Sequence, residues 1–186
     1  MRLFIAIDTP VSVKAQVTEI QAELKKSQAD VKWETADKFH ITLKFLNETK
    51  DELVPAINGI LETVGKKFQQ FQIEYDDIGC FPNWNQPRVI WIGANETSGT
   101  LLKLKRSLDI ELEKLGFETE DRKFHPHITL GRVRSQHNIK NLTVIMESLK
   151  FKSEITTCRE ILLMRSILKP SGSEYSTLTA VNFQNA

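Results

Sequence analysis

The apolar positions change period several times along the chain. Residues 2–7 form an apolar, β-branched run that predicts a buried strand, and Thr9-Pro10 reads as the cap and first residue of a helix. Val13, Val17, Ile20 and Leu24 then recur at steps of four, three and four, which is one helical face. Residues 39–46 read as a strand. A second helix is expected after Asp51, with Leu53, Ile57, Leu61, Val64 and Phe68 turned inward. Strands at 71–78 and 88–93 flank an irregular segment at 80–87. Leu101, Leu104, Leu108, Leu112 and Leu115 mark a third helix that stops at Gly116. A strand at 126–133, a short helix near 138–148 and strands near 154–166 and 174–183 complete the chain. No linker rich in Pro, Gly or Ser divides it, so residues 1–186 are expected to form a single bilobal α+β domain with mostly antiparallel sheet.

Two of these segments repeat. His40-Ile41-Thr42-Leu43 recurs as His127-Ile128-Thr129-Leu130, 87 positions later. Arg2-Leu3-Phe4-Ile5-Ala6-Ile7 begins 38 residues before His40, and Arg88-Val89-Ile90-Trp91-Ile92-Gly93 begins 39 residues before His127. One amphipathic helix lies between the members of each pair. Two strand–helix–strand units with one residue of slippage predict an internal duplication and two lobes related by a pseudo-twofold axis. Each lobe delivers one His-x-Thr strand to a shared cleft.

Strand alternation puts His40 and Thr42 on one face and Ile41, Leu43 and Phe45 on the other. The same parity groups His127, Thr129 and Gly131, with Gly131 leaving room for a ligand near the backbone. A lone histidine is weak evidence, but two in duplicated frames suit acid–base chemistry, since imidazole titrates near neutral pH. One ring takes a proton from a nucleophile while the other gives one to a leaving group. A phosphodiester needs both, together with donors to its non-bridging oxygens, and a threonine hydroxyl two residues from each histidine supplies one.

Composition narrows the field. The 186 residues are 40% hydrophobic and 26% charged, as in ordinary globular proteins, and 25 Lys and Arg against 24 Asp and Glu give a formal charge of +1. That excludes a strongly basic coat for long duplex nucleic acid, while a compact RNA end needs only a few cations. Cys80 and Cys158 lack zinc or disulfide-framework spacing and read as buried thiols in a reducing compartment. The apolar start is too short for a signal peptide and no run is long enough to span a membrane, which predicts a cytoplasmic protein. There is no GxSxG elbow, P-loop or GxGxxG fingerprint. His125, His127 and His40 offer three imidazoles to a metal, but no carboxylate accompanies them and threonine is a poor zinc ligand. No metal or cofactor is expected; His125 reads as a supporting residue and His137 as a surface one.

HITLKFL at 40–46 and FHPHITLGR at 124–132 resemble the paired motifs of the 2H phosphoesterase superfamily. The opening MRLFIAID, Trp33 and PRVIWIG at 87–93 resemble its RNA 2′,3′-cyclic phosphodiesterase branch, also called the 2′-5′ RNA ligase family. The likeness runs from residue 1 to about 134. It implies a bilobal α+β fold, with two antiparallel sheets lining a central groove and helices outside. It implies metal-independent opening of a terminal RNA 2′,3′-cyclic phosphate to a 2′-phosphate, with a reverse reaction forming a 2′-5′ link. His40 and His127 are then the catalytic residues, with the assignment of acid and base open. Thr42, Thr129 and Arg132 are the phosphate ligands. Strand parity turns Arg132 away from His127 unless a strand end or bulge intervenes.

Lys32, Lys38, Lys44 and Lys50, with Lys123, Arg132 and Arg134, form either a positive rim for RNA phosphates or an ordinary solvated surface. Phe81 and Trp84 read as base-stacking candidates, or as a core residue and a loop anchor. The expected partners are RNA 3′ ends with a cyclic phosphate, tRNA fragments among them, and the chain is expected to be a monomer. The competing readings are a nucleotide cyclic phosphodiesterase, a 2′-5′ oligonucleotide phosphodiesterase, and an RNA-end binding module without turnover.

Overall fold

The computed structural model describes residues 1–120, 123–170 and 172–185. The chain alternates strands and helices in the order β1 (Arg2–Asp8), α1 (Val11–Lys25), β2 (Val31–Trp33), β3 (His40–Glu48), α2 (Val54–Gly65), β4 (Phe71–Phe81), β5 (Val89–Asn95), α3 (Thr100–Glu113), β6 (His127–Val133), α4 (Ile139–Ser148), β7 (Thr156–Cys158), β8 (Glu160–Lys169) and β9 (Gly172–Asn182). The strand order is β7-β4-β5-β6-β3-β1-β8-β9, with β2 added to β6. The two expected antiparallel sheets are thus four-stranded halves of one sheet. They meet where Ile41 of β3 pairs with Ile128 of β6.

The halves correspond. In each, the repeat's first strand pairs antiparallel with its His-x-Thr strand, β1 with β3 and β5 with β6. Leu3, Ile5, Ile7, Ile41, Leu43, Ile90, Ile92, Ile128 and Leu130 point to one side, where they form a single buried cluster with Val13, Val17 and Leu24 of α1, Ile57 and Leu61 of α2, Leu104 and Leu108 of α3 and Leu142 of α4. That alternation of β-branched and aliphatic residues is what a half-covered sheet requires, and burying it drives the fold. Phe4, between Leu3 and Ile5, is 3% exposed yet stands outside this cluster, on the opposite face.

Three local differences from the sequence reading have simple causes. Pro10 is extended (ψ 146°), so α1 starts at Val11, not at Pro10. Asp51–Leu53 form a 3-10 turn before α2, and Phe68 lies beyond the helix end, though still packed on the core. Strand β2 is three residues long, too short to show a period, and exists because β6 offers it an edge. Cys80 and Cys158 are buried and free, and burial pushes the thiol of Cys158 up to about 12.

Candidate active site

The Ile41–Ile128 pair fixes the geometry of the site. Continuing that antiparallel register by one residue on either side sets His40 across from Thr129 and Thr42 across from His127. With Ile41 and Ile128 turned into the core, all four polar side chains share the opposite face. His127 lies near enough to His40 to be among the charges that act on it.

Each imidazole is set among aromatic rings. His40 stacks on Phe4 with centroids 5.0 Å apart and an interplanar angle of 29°, and Tyr175 of β9 meets it edge-on at 5.4 Å. His127 has Phe81 edge-on at 5.1 Å and Trp91 at 6.3 Å. Phe4 and Trp91 come from the corresponding first strands of the two repeats, β1 and β5. Stripping water from the rings disfavours the charged form. Burial accordingly pushes His40 down to about 4, with Lys14 and His127 adding to the effect, while Asp8 and the Lys38 carbonyl pull the other way. His127 is lowered too, first by burial and then by His125 and Arg132, against its bond to the His125 carbonyl.

That bond sets the tautomer. Nδ1 of His127 donates to the His125 carbonyl at 2.6 Å, because a carbonyl can only accept. Nε2 is then left with a lone pair. The Lys38 carbonyl occupies the matching place two residues before His40, but Nδ1 of His40, buried, has no hydrogen bond of ordinary geometry among the described residues.

Two bulges correct the parity expected beyond the threonines. In β3, Ala6 pairs with Thr42 and Ile5 with Lys44, so Leu43 is an extra residue; in β6, Trp91 pairs with Thr129 and Ile90 with Gly131, so Leu130 is extra. The side chains that follow change face, in β3 as far as Leu46, where a second bulge restores the order. Arg132 therefore turns to the side of His127 and Thr129, where its charge acts on both His127 and Tyr175. Gly131 does not line the site: a Cβ there would meet Val31 Cγ1 at 2.7 Å and Trp33 Cε3 at 2.9 Å. Lys44 is no part of a positive rim. It is 1% exposed, with Nζ 3.0 Å from Asp109 of α3 and bonded to the Glu118 carbonyl. Phe45, expected in the core, is 51% exposed and leans on Phe4 at 6.3 Å.

The bulge in β6 is held from below. Buried Gln21 of α1 donates through Nε2 to the carbonyls of Leu130 (3.0 Å) and Glu34 (2.7 Å), and the Glu34 amide donates to Leu130 at 2.8 Å. Sequence reasoning did not single out Gln21, Phe4, Trp91 or Tyr175. Phe4 and Trp91 lie in the first strands of the two repeats, each paired with a His-x-Thr strand, which is a signal for both; Tyr175 carries none. Phe81 packs against Trp91 and His127 at the site, while Trp84 is exposed. Among the described residues no group of three His, Cys, Asp or Glu is placed to hold a metal, so His125, His127 and His40 do not assemble as one.

A twofold-repeated strand pair carrying these histidines matches a known family. The model of LigT-like phosphoesterases fits the chain twice, over residues 7–91 and 92–175, each copy containing one His-x-Thr. The chain belongs to the LigT-like phosphoesterase family. Proteins named RNA 2′,3′-cyclic phosphodiesterase are among the relatives of this LigT-like chain. The one from Archaeoglobus fulgidus is 39% identical over 181 residues, covering 96% of this chain and 98% of its own. The one from Escherichia coli K12 is 32% identical over 135 residues, 73% of each. The crystal structure of a Thermus thermophilus protein superposes with a TM-score of 0.84 at 26% identity, covering 100% of this chain and 99% of that one. E. coli LigT, crystallised with 3′-AMP, shares the fold (TM-score 0.77, 24% identity, 98% and 97% covered). The LigT-like fold explains why the site straddles the junction between repeats: each lobe supplies half of it.

Proposed function

We propose that this phosphoesterase opens the 2′,3′-cyclic phosphate at an RNA 3′ end to a 2′-phosphate, by acid–base catalysis between His40 and His127. The observation that carries the reading is the placement of two imidazoles on one face, on either side of the Ile41–Ile128 pair, with a threonine beside each. The names of the relatives support the substrate.

Nε2 of His127, bare because Nδ1 is bonded, takes a proton from water as the water oxygen attacks phosphorus in line with the P–O3′ bond. His40, whose charged form the bound phosphate anion favours against the effect of burial, gives its proton to the departing O3′. Thr42, Thr129 and Arg132 donate to the non-bridging oxygens, whose charge grows in the transition state. One P–O bond forms and one breaks, and the proton count balances. The near-symmetry of the site also allows the two histidines to exchange roles. Run backwards with a 5′-hydroxyl in place of water, the same steps form a 2′-5′ link.

Two imidazoles supply both proton transfers, so the reaction is written without a metal. The reading extends to a single bilobal domain acting as a cytoplasmic monomer on RNA ends, tRNA fragments included. Support for a reducing compartment comes from the two free buried thiols, and no helix among the described residues is long and apolar enough to cross a membrane.

The test is incubation of a short RNA bearing a 2′,3′-cyclic phosphate in excess EDTA, with the product identified by phosphorus NMR. A 2′-phosphate is expected. A 3′-phosphate would move the cleaved bond to P–O2′, and turnover only after adding zinc or manganese would replace the two-histidine mechanism with a metal one.

A further inference from the structure

Lys32 of β2 is the cross-strand partner of Arg132 in β6. Partners in an antiparallel pair share a face, with Cβ atoms about 5 Å apart, and like charges set directly opposite repel. Both side chains are exposed. A third cation joins them. A Cβ on Gly172, at the start of β9, would lie 3.5 Å from Nζ of Lys32 and 3.8 Å from Nζ of Lys38, so the two ammonium groups are within about 7 Å of each other. Among the described residues the one ion pair in this group joins Lys38 to Glu34 at 3.4 Å, which leaves positive charge in excess.

The group begins where the aromatic wall of His40 ends. Nζ of Lys38 lies 6.0 Å over the ring of Tyr175, whose edge meets His40, and Arg132 acts on the same tyrosine. Lys32, Lys38 and Arg132 come from three separate segments, so the fold pays a repulsion to gather them around the single counter-charge of Glu34. An anion fixed relative to the histidines relieves it. A chain whose cyclic end lies between His40 and His127 carries such an anion one nucleotide away; a mononucleotide carries none.

The geometry points to a second phosphate subsite, formed by Lys32 and Lys38 beside Arg132, that takes the internucleotide phosphate next to the cyclic end of an RNA chain. The inference rests on the RNA reading above and deepens it: the site prefers an oligonucleotide over a cyclic mononucleotide.

The test compares two dinucleotides ending in a 2′-phosphate, one joined by an ordinary phosphodiester and one by an uncharged methylphosphonate, by calorimetric titration. Turnover of a 2′,3′-cyclic mononucleotide is followed in parallel. The protein is expected to bind the charged linkage about tenfold more tightly, the size of one charge-assisted contact. Lys32→Ala removes that preference, Lys32→Arg keeps it, and neither changes mononucleotide turnover. The salt slope of binding to the charged dinucleotide becomes shallower by about 0.7 in Lys32→Ala. Equal binding of both linkages by the native protein, or a preference that survives Lys32→Ala and Lys32→Glu, overturns the subsite. A linkage preference without turnover of any cyclic phosphate supports the subsite and overturns the hydrolase reading instead.

Discussion

Ile41 and Ile128 are equivalent positions of the duplicated sequence, and they pair with each other in the sheet. An element that pairs with its own repeat must lie on the axis relating the two copies, so the pseudo-twofold axis passes through this pair. The consequence is chemical. One residue before each isoleucine is a histidine and one after is a threonine. The axis therefore converts two ordinary strand tripeptides into a ring of alternating imidazole and hydroxyl groups.

That arrangement makes the histidines interdependent. His40→Ala and His127→Ala are each expected to lower kcat on a 2′,3′-cyclic phosphate by 10²- to 10⁴-fold, a typical worth for one positioned proton-transfer group. The double substitution should cost much less than the product of the two. Steady-state kinetics on the three variants, with thermal melts to confirm folding, checks this. A single variant with near-native turnover would remove that histidine from the mechanism.

Burial is the main reason both rings titrate low, His40 near 4 and His127 below its ordinary 6.5. The reaction needs one ring neutral and the other protonated. In the free protein that combination peaks between the two pKa values, so kcat/KM should fall on the acid side near pH 4 and on the alkaline side from below 6.5. A bound phosphate anion favours imidazolium, which moves the alkaline limb of kcat to higher pH. Stability follows the same protons. Between about 4 and 6.5 the unfolded chain binds more protons at His40 than the folded one, so stability rises with pH across that window and levels off above it. Melts of the native protein and of His40→Phe should diverge only on the acid side.

Gln21 acts on the site through the bulge at Leu130. Gln21→Leu removes the donor to two carbonyls, at an expected cost of about 1–3 kcal/mol, and frees the bulge that turns Arg132 toward the histidines. KM should rise while kcat changes less. In a double-mutant cycle, Gln21→Leu should add little to Arg132→Ala, because both remove the same contact. Additive losses would mean that Gln21 only stabilises the fold.

Most of the site was legible because it lies in periodic, duplicated sequence. The parity of His40 and Thr42, and of His127 and Thr129, follows from strand alternation alone. What sequence did not reveal begins at the bulges. One extra residue in β3 exchanges the faces of Lys44 and Phe45, and one in β6 exchanges those of Gly131 and Arg132. A bulge leaves no mark in hydrophobic period until it has reversed it, and a buried lysine followed by an exposed phenylalanine contradicts every composition rule. Lys44 is tolerated in the core only because Asp109 comes from a helix 65 positions further along. Tyr175 reaches His40 from β9, a strand outside both strand–helix–strand units, where no spacing links it to the histidines.

The Lys44–Asp109 pair gives the last prediction. Asp109 holds two ammonium groups, Lys44 at 3.0 Å and Lys105 at 2.7 Å, and the lysine side chains are only 1% and 6% exposed. Removing the shared carboxylate strands two buried positive charges at once. Asp109→Ala is therefore expected to cost at least the ~3–5 kcal/mol of a broken buried pair. Lys44→Met leaves Asp109 balanced by Lys105 and replaces the buried stem with one of similar volume, so its cost should be smaller. Urea unfolding of both variants measures the difference. Equal losses would mean that Lys44 and Lys105 do not depend on the same carboxylate, and that α3 is held under β3 by its leucines alone.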